Sequence, residues 1–163
     1  MKKVIEEQTV LTENMKQLLE KVDFSDTFST TNHVNSMEEV SNLIFNTAPR
    51  WVNAMFKLRN KIARPFGLKS ALPGDYNDEY KVGGYVKFFQ IFSIDKKELI
   101  LGANDSHLNF RAVIVDHKSE MYNIKVTTLV EYNNRKGRIY MGLIKPFHRQ
   151  IVKRMVKNAF IEK

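Results

Sequence analysis

Residues 102–160 read GANDSHLNFRAVIVDHKSEMYNIKVTTLVEYNNRKGRIYMGLIKPFHRQIVKRMVKNAF. Alternating side chains divide this stretch into strands at 106–117, 122–133 and 138–144, with turns at Lys118-Ser119-Glu120 and at 133–137. The period then changes. Phe147, Ile151, Met155 and Phe160, with Val152, Val156 and Ala159, build a broad apolar stripe at helical spacing. Arg149, Lys153, Arg154 and Lys157 fall largely outside it. Pro146 suits the first turn of that helix, where a missing amide costs nothing. At about 1.5 Å per residue the helix is roughly 23 Å long and can cross a whole small sheet. The outline is a curved antiparallel sheet wrapped on a terminal helix, with room for a small molecule between them.

Upstream, residues 85–94 and 98–103 read as two further strands, joined by short turns at Asp95-Lys96-Lys97 and Asn104-Asp105. Short gaps between consecutive strands indicate an antiparallel meander. Residues 23–32, DFSDTFSTTN, alternate Phe24, Asp26 and Phe28 and fit a first strand at a sheet edge. The expected sheet has six or seven strands, with helices inserted after the first. Ser36-Met37-Glu38-Glu39 is a capping box opening a helix whose apolar face carries Met37, Val40, Leu43 and Ile44. Pro49 interrupts that helix. A second follows over 49–63 with Trp51, Val52, Met55, Phe56, Leu58 and Ile62 apolar, and Gly67 is its stop signal. Residues 1–21 form a leading arm or short helix, with Leu11, Met15, Leu18 and Leu19 near one face and Thr12 or Thr9 as cap. Residues 69–83 are rich in turn formers and suit a lid or binding loop.

Strand parity predicts the faces. Leu108, Phe110, Ala112 and Ile114 lie together, opposite His107, Asn109, Arg111, Val113 and Val115. Tyr122, Ile124, Val126, Thr128, Val130 and Tyr132 share a face; Asn123, Lys125, Thr127, Leu129 and Glu131 take the expected solvent face. That second face still carries Phe89, Ile91, Val113 and Val115, so part of it is expected to be covered by the leading arm, the long loop or another subunit.

The chain of 163 residues is 43% apolar, enough for one domain, 22–163, behind the arm at 1–21. It has no cysteine, which excludes thiolate catalysis, Cys-ligated zinc, iron–sulfur sites and disulfides. The four histidines, at 33, 107, 117 and 148, are scattered and form no metal-ligand motif, so neither a metal nor a cofactor is expected. Glu6 and Glu7 follow the leading lysines without an apolar run, and no run of 18 apolar residues occurs, so a cytoplasmic protein without a membrane span is expected. The formal charge of +8 is concentrated in Arg50, Lys57, Arg59, Lys61, Arg64 and Lys69 and again from Lys145 onward. Such basic faces attract anionic surfaces weakly through long-range charge.

Three blocks carry a resemblance. Pro49, Trp51, Leu58 and Arg59 match a Pro-x-Trp-x-x-x-Leu-x-x-Leu-Arg helix, with Met55 where leucine is more usual. Gly102, Asp105, His107, Leu108, Phe110 and Arg111 match a strand entry, and Pro146, Phe147, His148 and Arg149 match the start of the last helix. Together, over about residues 22–160, they resemble the uncharacterised bacterial family named domain of unknown function 2867. That family in turn resembles the START-like, or SRPBCC, helix-grip superfamily, which includes lipid carriers, hormone receptors and polyketide cyclases. The resemblance implies an α+β helix-grip fold with a cavity between sheet and helix. It transfers no activity.

Candidate ligand contacts are His107 and Arg111 on one strand face, Trp51 and Phe56 on the second helix, and Tyr85 and Phe89 on the first meander strand. Asp105 beside His107 would orient an imidazole for proton transfer, and Arg111 would hold an anionic oxygen. His148 and Arg149, in an expected first helical turn with unpaired amides, suit an anion. The leading expectation is a binding or carrier protein for a small apolar or amphipathic ligand, as monomer or homodimer. A cofactor-free cyclase or isomerase using the same cavity is an alternative. A basic interaction protein is another, with nucleic acid the less favoured partner.

Overall fold

The chain begins with a short strand, β1 (Ile5–Glu7), and a one-turn helix, α1 (Glu13–Gln17), then strand β2 (Phe24–Thr30). Helices α2 (Met37–Phe45) and α3 (Arg50–Ala63) follow, with a 3₁₀ turn at Arg64–Phe66. Strands β3 (Tyr85–Val86), β4 (Phe89–Ile94), β5 (Glu98–Asn104), β6 (Leu108–Asp116) and β7 (Ile124–Tyr132) lead into helix α4 (Arg135–Asn158). This computed structural model describes residues 1–47, 50–67, 73–118 and 121–162. Within α3 and the 3₁₀ turn, the side chains of Trp51, Val52, Met55, Phe56, Arg59, Ala63 and Phe66 lie outside the described set, as do Pro49, Leu68 and residues 69–72 of the expected loop.

The seven strands form one antiparallel sheet in the order β1-β2-β7-β6-β5-β4-β3. Short turns explain the β4-to-β7 meander, and β2 closes it by pairing with β7. The chain folds as α+β, as the patterning predicts.

Three local expectations are met and three are corrected. Ser36 and Glu39 close the capping box on α2, Thr12 caps α1 by accepting from the Met15 amide at 3.2 Å, and Gly67 stops the second helix at φ +71°. The expected single strand at 85–94 is a hairpin, β3–β4, because Lys87 takes the left-handed conformation at φ +58° and reverses the chain. The expected strand at 138–144 is helical, and α4 starts at Arg135 rather than at Pro146. Asn134 caps it, its side-chain oxygen accepting from the Gly137 amide at 3.1 Å. Pro146 sits in the helix interior, where its ring leaves the Gly142 carbonyl without an amide donor; both residues are exposed. The expected edge position of residues 23–32 belongs instead to β1, which pairs with β2 on its outer side.

Two faces of the sheet are covered. One packs on α2 and α4 through Phe28, Val40, Ile44, Ile114, Val126, Met155 and Val156, with a second cluster around Phe24, Leu108, Val130 and Tyr140. The other receives the arm: Met15 and Leu19 bury against Ile100, Val113 and Leu129. The face expected to meet solvent is therefore largely buried, with Asn123, Thr127, Leu129 and Glu131 all closed off. Several of its polar members are partnered, while the buried Ser29 hydroxyl makes no hydrogen bond. Thr27 and Thr127 share a hydroxyl hydrogen bond at 3.0 Å, extended to Thr9 at 2.9 Å, and Asn109 donates to Glu131 at 3.0 Å.

Helix α4 is clamped at both ends. At its start Gly137 lies against the β5–β6 turn so closely that a Cβ there would stand 2.0 Å from the His107 carbonyl oxygen. Asn133 and Asn134 donate to the Asp105 and Ser106 carbonyls at 2.7 and 3.0 Å. At its end the buried Asn32 donates to the Ala159 carbonyl at 2.8 Å, and the Ile161 amide donates to Thr31 at 2.9 Å. Between the clamps the helix spans the sheet and leaves space beneath it.

Candidate functional site: a cavity under the C-terminal helix

That space is a cavity of about 1050 Å³. Its floor is the α4 face of β4, β6 and β7, its roof is α4, and α3 and the β3–β4 hairpin flank its mouth. One cross-strand row explains why volume remains. Asp26 pairs with Thr128, and Thr128 with Ala112. Small side chains at 112 and 128 leave room that leucine or phenylalanine would fill. Around them Phe89, Phe110, Val126, Val130, Tyr140, Met141, Ile144, Ile151 and Met155 make an apolar wall. Such a surface removes apolar groups from water at about 25 cal/mol per Å². The polar wall residues Asn53, Lys57, Asn60, Lys87, Gln90, Asn104 and Asp105 lie on α3, the hairpin, the end of β5 and the turn after it.

One polar pair stands at the wall through its histidine. His148 on α4 lines the cavity, and its Nε2 stands 3.3 Å from Asp26 Oδ2 on β2. The Asp26 side chain is 5% exposed, and neither its oxygens nor His148 Nε2 makes a hydrogen bond. Buried groups of this kind are costly unless partnered. The imidazole also meets the Phe24 ring edge-on, with centroids 5.8 Å apart. Among the described residues no three His, Cys, Asp or Glu side chains converge as a metal site would require.

The candidates read from the sequence separate. Tyr85, Phe89 and His148 line the cavity. Phe89 meets Phe45 and Phe110 edge-to-face, each at 5.4 Å. Tyr85 donates to Asp75 at 3.1 Å, and burial, with that carboxylate, pushes its phenol above the ordinary range. His107 and Arg111 do not wall the cavity. His107 Nδ1 is 3.2 Å from Asn134 Nδ2, at the α4 clamp, while Asp105 accepts from the Ser106 amide at 2.6 Å. No Asp105–His107 pair forms. Arg111 lies on the arm side of the sheet, its guanidinium 3.9 Å above the Phe92 ring and donating to Asn104 at 2.9 Å. Burial lowers its pKa, partly offset by Glu131. Arg149 is paired with Glu6, which raises its pKa, and it lies with His148 deep in α4 rather than in a first turn. Amides there bond to carbonyls one turn back, so the expected anion site of unpaired amides does not form. The side chains of Trp51 and Phe56 lie outside the described residues.

Asp26 was legible only in part. Its parity with Phe24 and Phe28 puts a carboxylate on the apolar face, but nothing local points to His148 across the fold.

Fold and site define an α+β protein in which an antiparallel sheet and a clamped C-terminal helix enclose an apolar cavity. The chain belongs to the family described as protein of unknown function (DUF2867), whose model matches residues 18–155. No curated protein and no solved structure shows significant similarity to the chain. Among the described residues no helix is long and apolar enough to cross a membrane.

Proposed function

We propose that this protein is a helix-grip, START-like binding protein that holds a small apolar or amphipathic molecule between its sheet and α4. The observation that carries the reading is the cavity of about 1050 Å³ with its apolar wall. Ligand sites of several hundred cubic ångströms, mostly apolar with a few placed polar groups, are the usual form of a small-molecule pocket. The polar groups near the mouth suit a ligand with one polar end.

Native mass spectrometry of the purified protein, followed by denaturing extraction, tests this. A stoichiometric co-purified compound supports the reading and names its chemical class. A protein that neither carries such a compound nor takes up any apolar probe refutes it.

A cofactor-free cyclase or isomerase using the same cavity is the second reading. It is favoured by the imidazole of His148 on the cavity wall. Turnover of the extracted compound, lost on His148→Gln, would support it; full activity in that variant would remove His148 from the chemistry.

A further inference from the structure

Resting on the binding reading, we infer that His148, set by Asp26, is a hydrogen-bond anchor selecting a neutral hydroxyl group on an otherwise apolar ligand. Three observations combine. First, His148 is on the cavity wall while its Nε2 is turned to Asp26. The other ring nitrogen, Nδ1, is thus the one left for a ligand. Second, Asp26 is buried on a strand between Phe24 and Phe28, and its register partner Thr128 is itself on the cavity floor. Strand residues paired across a sheet present their side chains to the same side. Third, Asp26 Oδ1 and Oδ2 and His148 Nε2 are buried without a hydrogen-bond partner. A carboxylate and an imidazole in this state are placed for something other than packing.

The chemistry of the pair sets the ligand class. An ionised carboxylate only accepts hydrogen bonds. A neutral imidazole that carries its proton at Nε2, the nitrogen 3.3 Å from Asp26 Oδ2, leaves Nδ1 as an acceptor. A phenol, enol or alcohol donates to such a nitrogen. A ligand carboxylate does not, and it would bring a second negative charge near Asp26 in a poorly solvated place. The pair therefore favours hydroxyl-bearing apolar molecules over fatty or aromatic acids. Asp26 is a positioning residue acting through His148, and the edge-on Phe24 ring fixes the imidazole plane.

Three probes of one shape test this: 2-naphthol, 2-methylnaphthalene and 2-naphthoate, titrated into the wild-type protein, Asp26→Asn and His148→Phe. The wild type is expected to bind 2-naphthol at least tenfold more tightly than 2-naphthoate. The preference for naphthol relative to methylnaphthalene should fall about tenfold in His148→Phe, equal to about 1.4 kcal/mol. It should fall severalfold in Asp26→Asn, with methylnaphthalene affinity unchanged in that variant. A purely structural Asp26 would shift all three probes alike. A wild type that binds naphthoate best, or preferences unmoved in both variants, overturns the anchor while leaving the cavity reading in place. Failure of every probe to bind the wild type overturns both. Should either variant not fold, the wild-type ranking of the three probes decides the matter alone.

Discussion

Two glycines of α4 are predicted to respond to the same substitution with opposite signs. Gly137 and Gly142 are both helical, so alanine at either gains up to about 1 kcal/mol of helix propensity. At Gly142 an added Cβ meets nothing within 4 Å, so Gly142→Ala should stabilise by about 0.5–1 kcal/mol. At Gly137 the Cβ would stand 2.0 Å from the His107 carbonyl oxygen and 2.9 Å from its carbon. Both are backbone atoms and cannot rotate away. Ordinary contact requires the helix start to withdraw by more than an ångström, which strains the Asn133 and Asn134 hydrogen bonds to the same turn. Overpacking of this kind costs about 1–3 kcal/mol, and the rigid partner argues for the upper end. The net effect should be a loss of about 2 kcal/mol, or a fall in Tm of about 4–8 °C for a chain of this size. Urea and thermal unfolding of both variants measure it. Equal signs would refute the reasoning. Destabilisation by Gly142→Ala would refute the helical assignment of residues 138–144, and a neutral Gly137→Ala would refute the tight clamp.

Three further outcomes follow. Asn32→Ala removes the bond to the Ala159 carbonyl and the Oδ1 acceptor of the Val34 and Asn35 amides, and should cost about 2–3 kcal/mol in urea unfolding. Leu19→Ala, at the arm's contact with Ile100, Val113 and Leu129, should cost about 2–4 kcal/mol yet leave probe affinity in the cavity on the other face unchanged. The Ser36 amide and hydroxyl hold the Glu39 carboxyl below its ordinary value. A depressed carboxyl contributes stability above its unfolded pKa and loses it as pH falls through the folded one. The acid limb of a stability–pH curve should therefore flatten in Glu39→Gln; an unchanged limb would contradict the capping contribution.

Local signals were the most readable part of this chain. The Ser36–Glu39 box, the Thr12 cap and the Gly67 stop each depend on a few adjacent residues, and the structure builds all three. The meander was legible because turn formers separate its strands, and apolar residues on its second face foretold a cover, which is the arm. The sequence misled where two periods fit at once. In 138–144, Ile139, Met141 and Leu143 alternate with Tyr140 and Ile144, which suits a strand. Tyr140, Met141, Ile144, His148, Ile151 and Met155 also fall on one helical face, and that face is the buried one. Pro146 looked like a start because its cost inside a helix is usually decisive. Here its position is exposed, and the clamps at either end hold the helix across it. Strand β1 is three residues long and leaves almost no periodic signal. His107 and Arg111 shared the expected parity, but the residues that meet the cavity are those of opposite parity, Leu108, Phe110 and Ala112. The Asp26–His148 pair joins β2 to α4, and such contacts are fixed by tertiary packing alone.

The most direct test of an apolar binding cavity under α4 is methionine-methyl NMR during titration with 2-methylnaphthalene. Met141 and Met155 line the cavity; Met15 is buried on the opposite face of the sheet, and Met121 is exposed. Saturable shifts at Met141 and Met155, with Met15 and Met121 unmoved, are the predicted result. Shifts at Met15 or Met121 alone, or none at any methyl, would contradict the account.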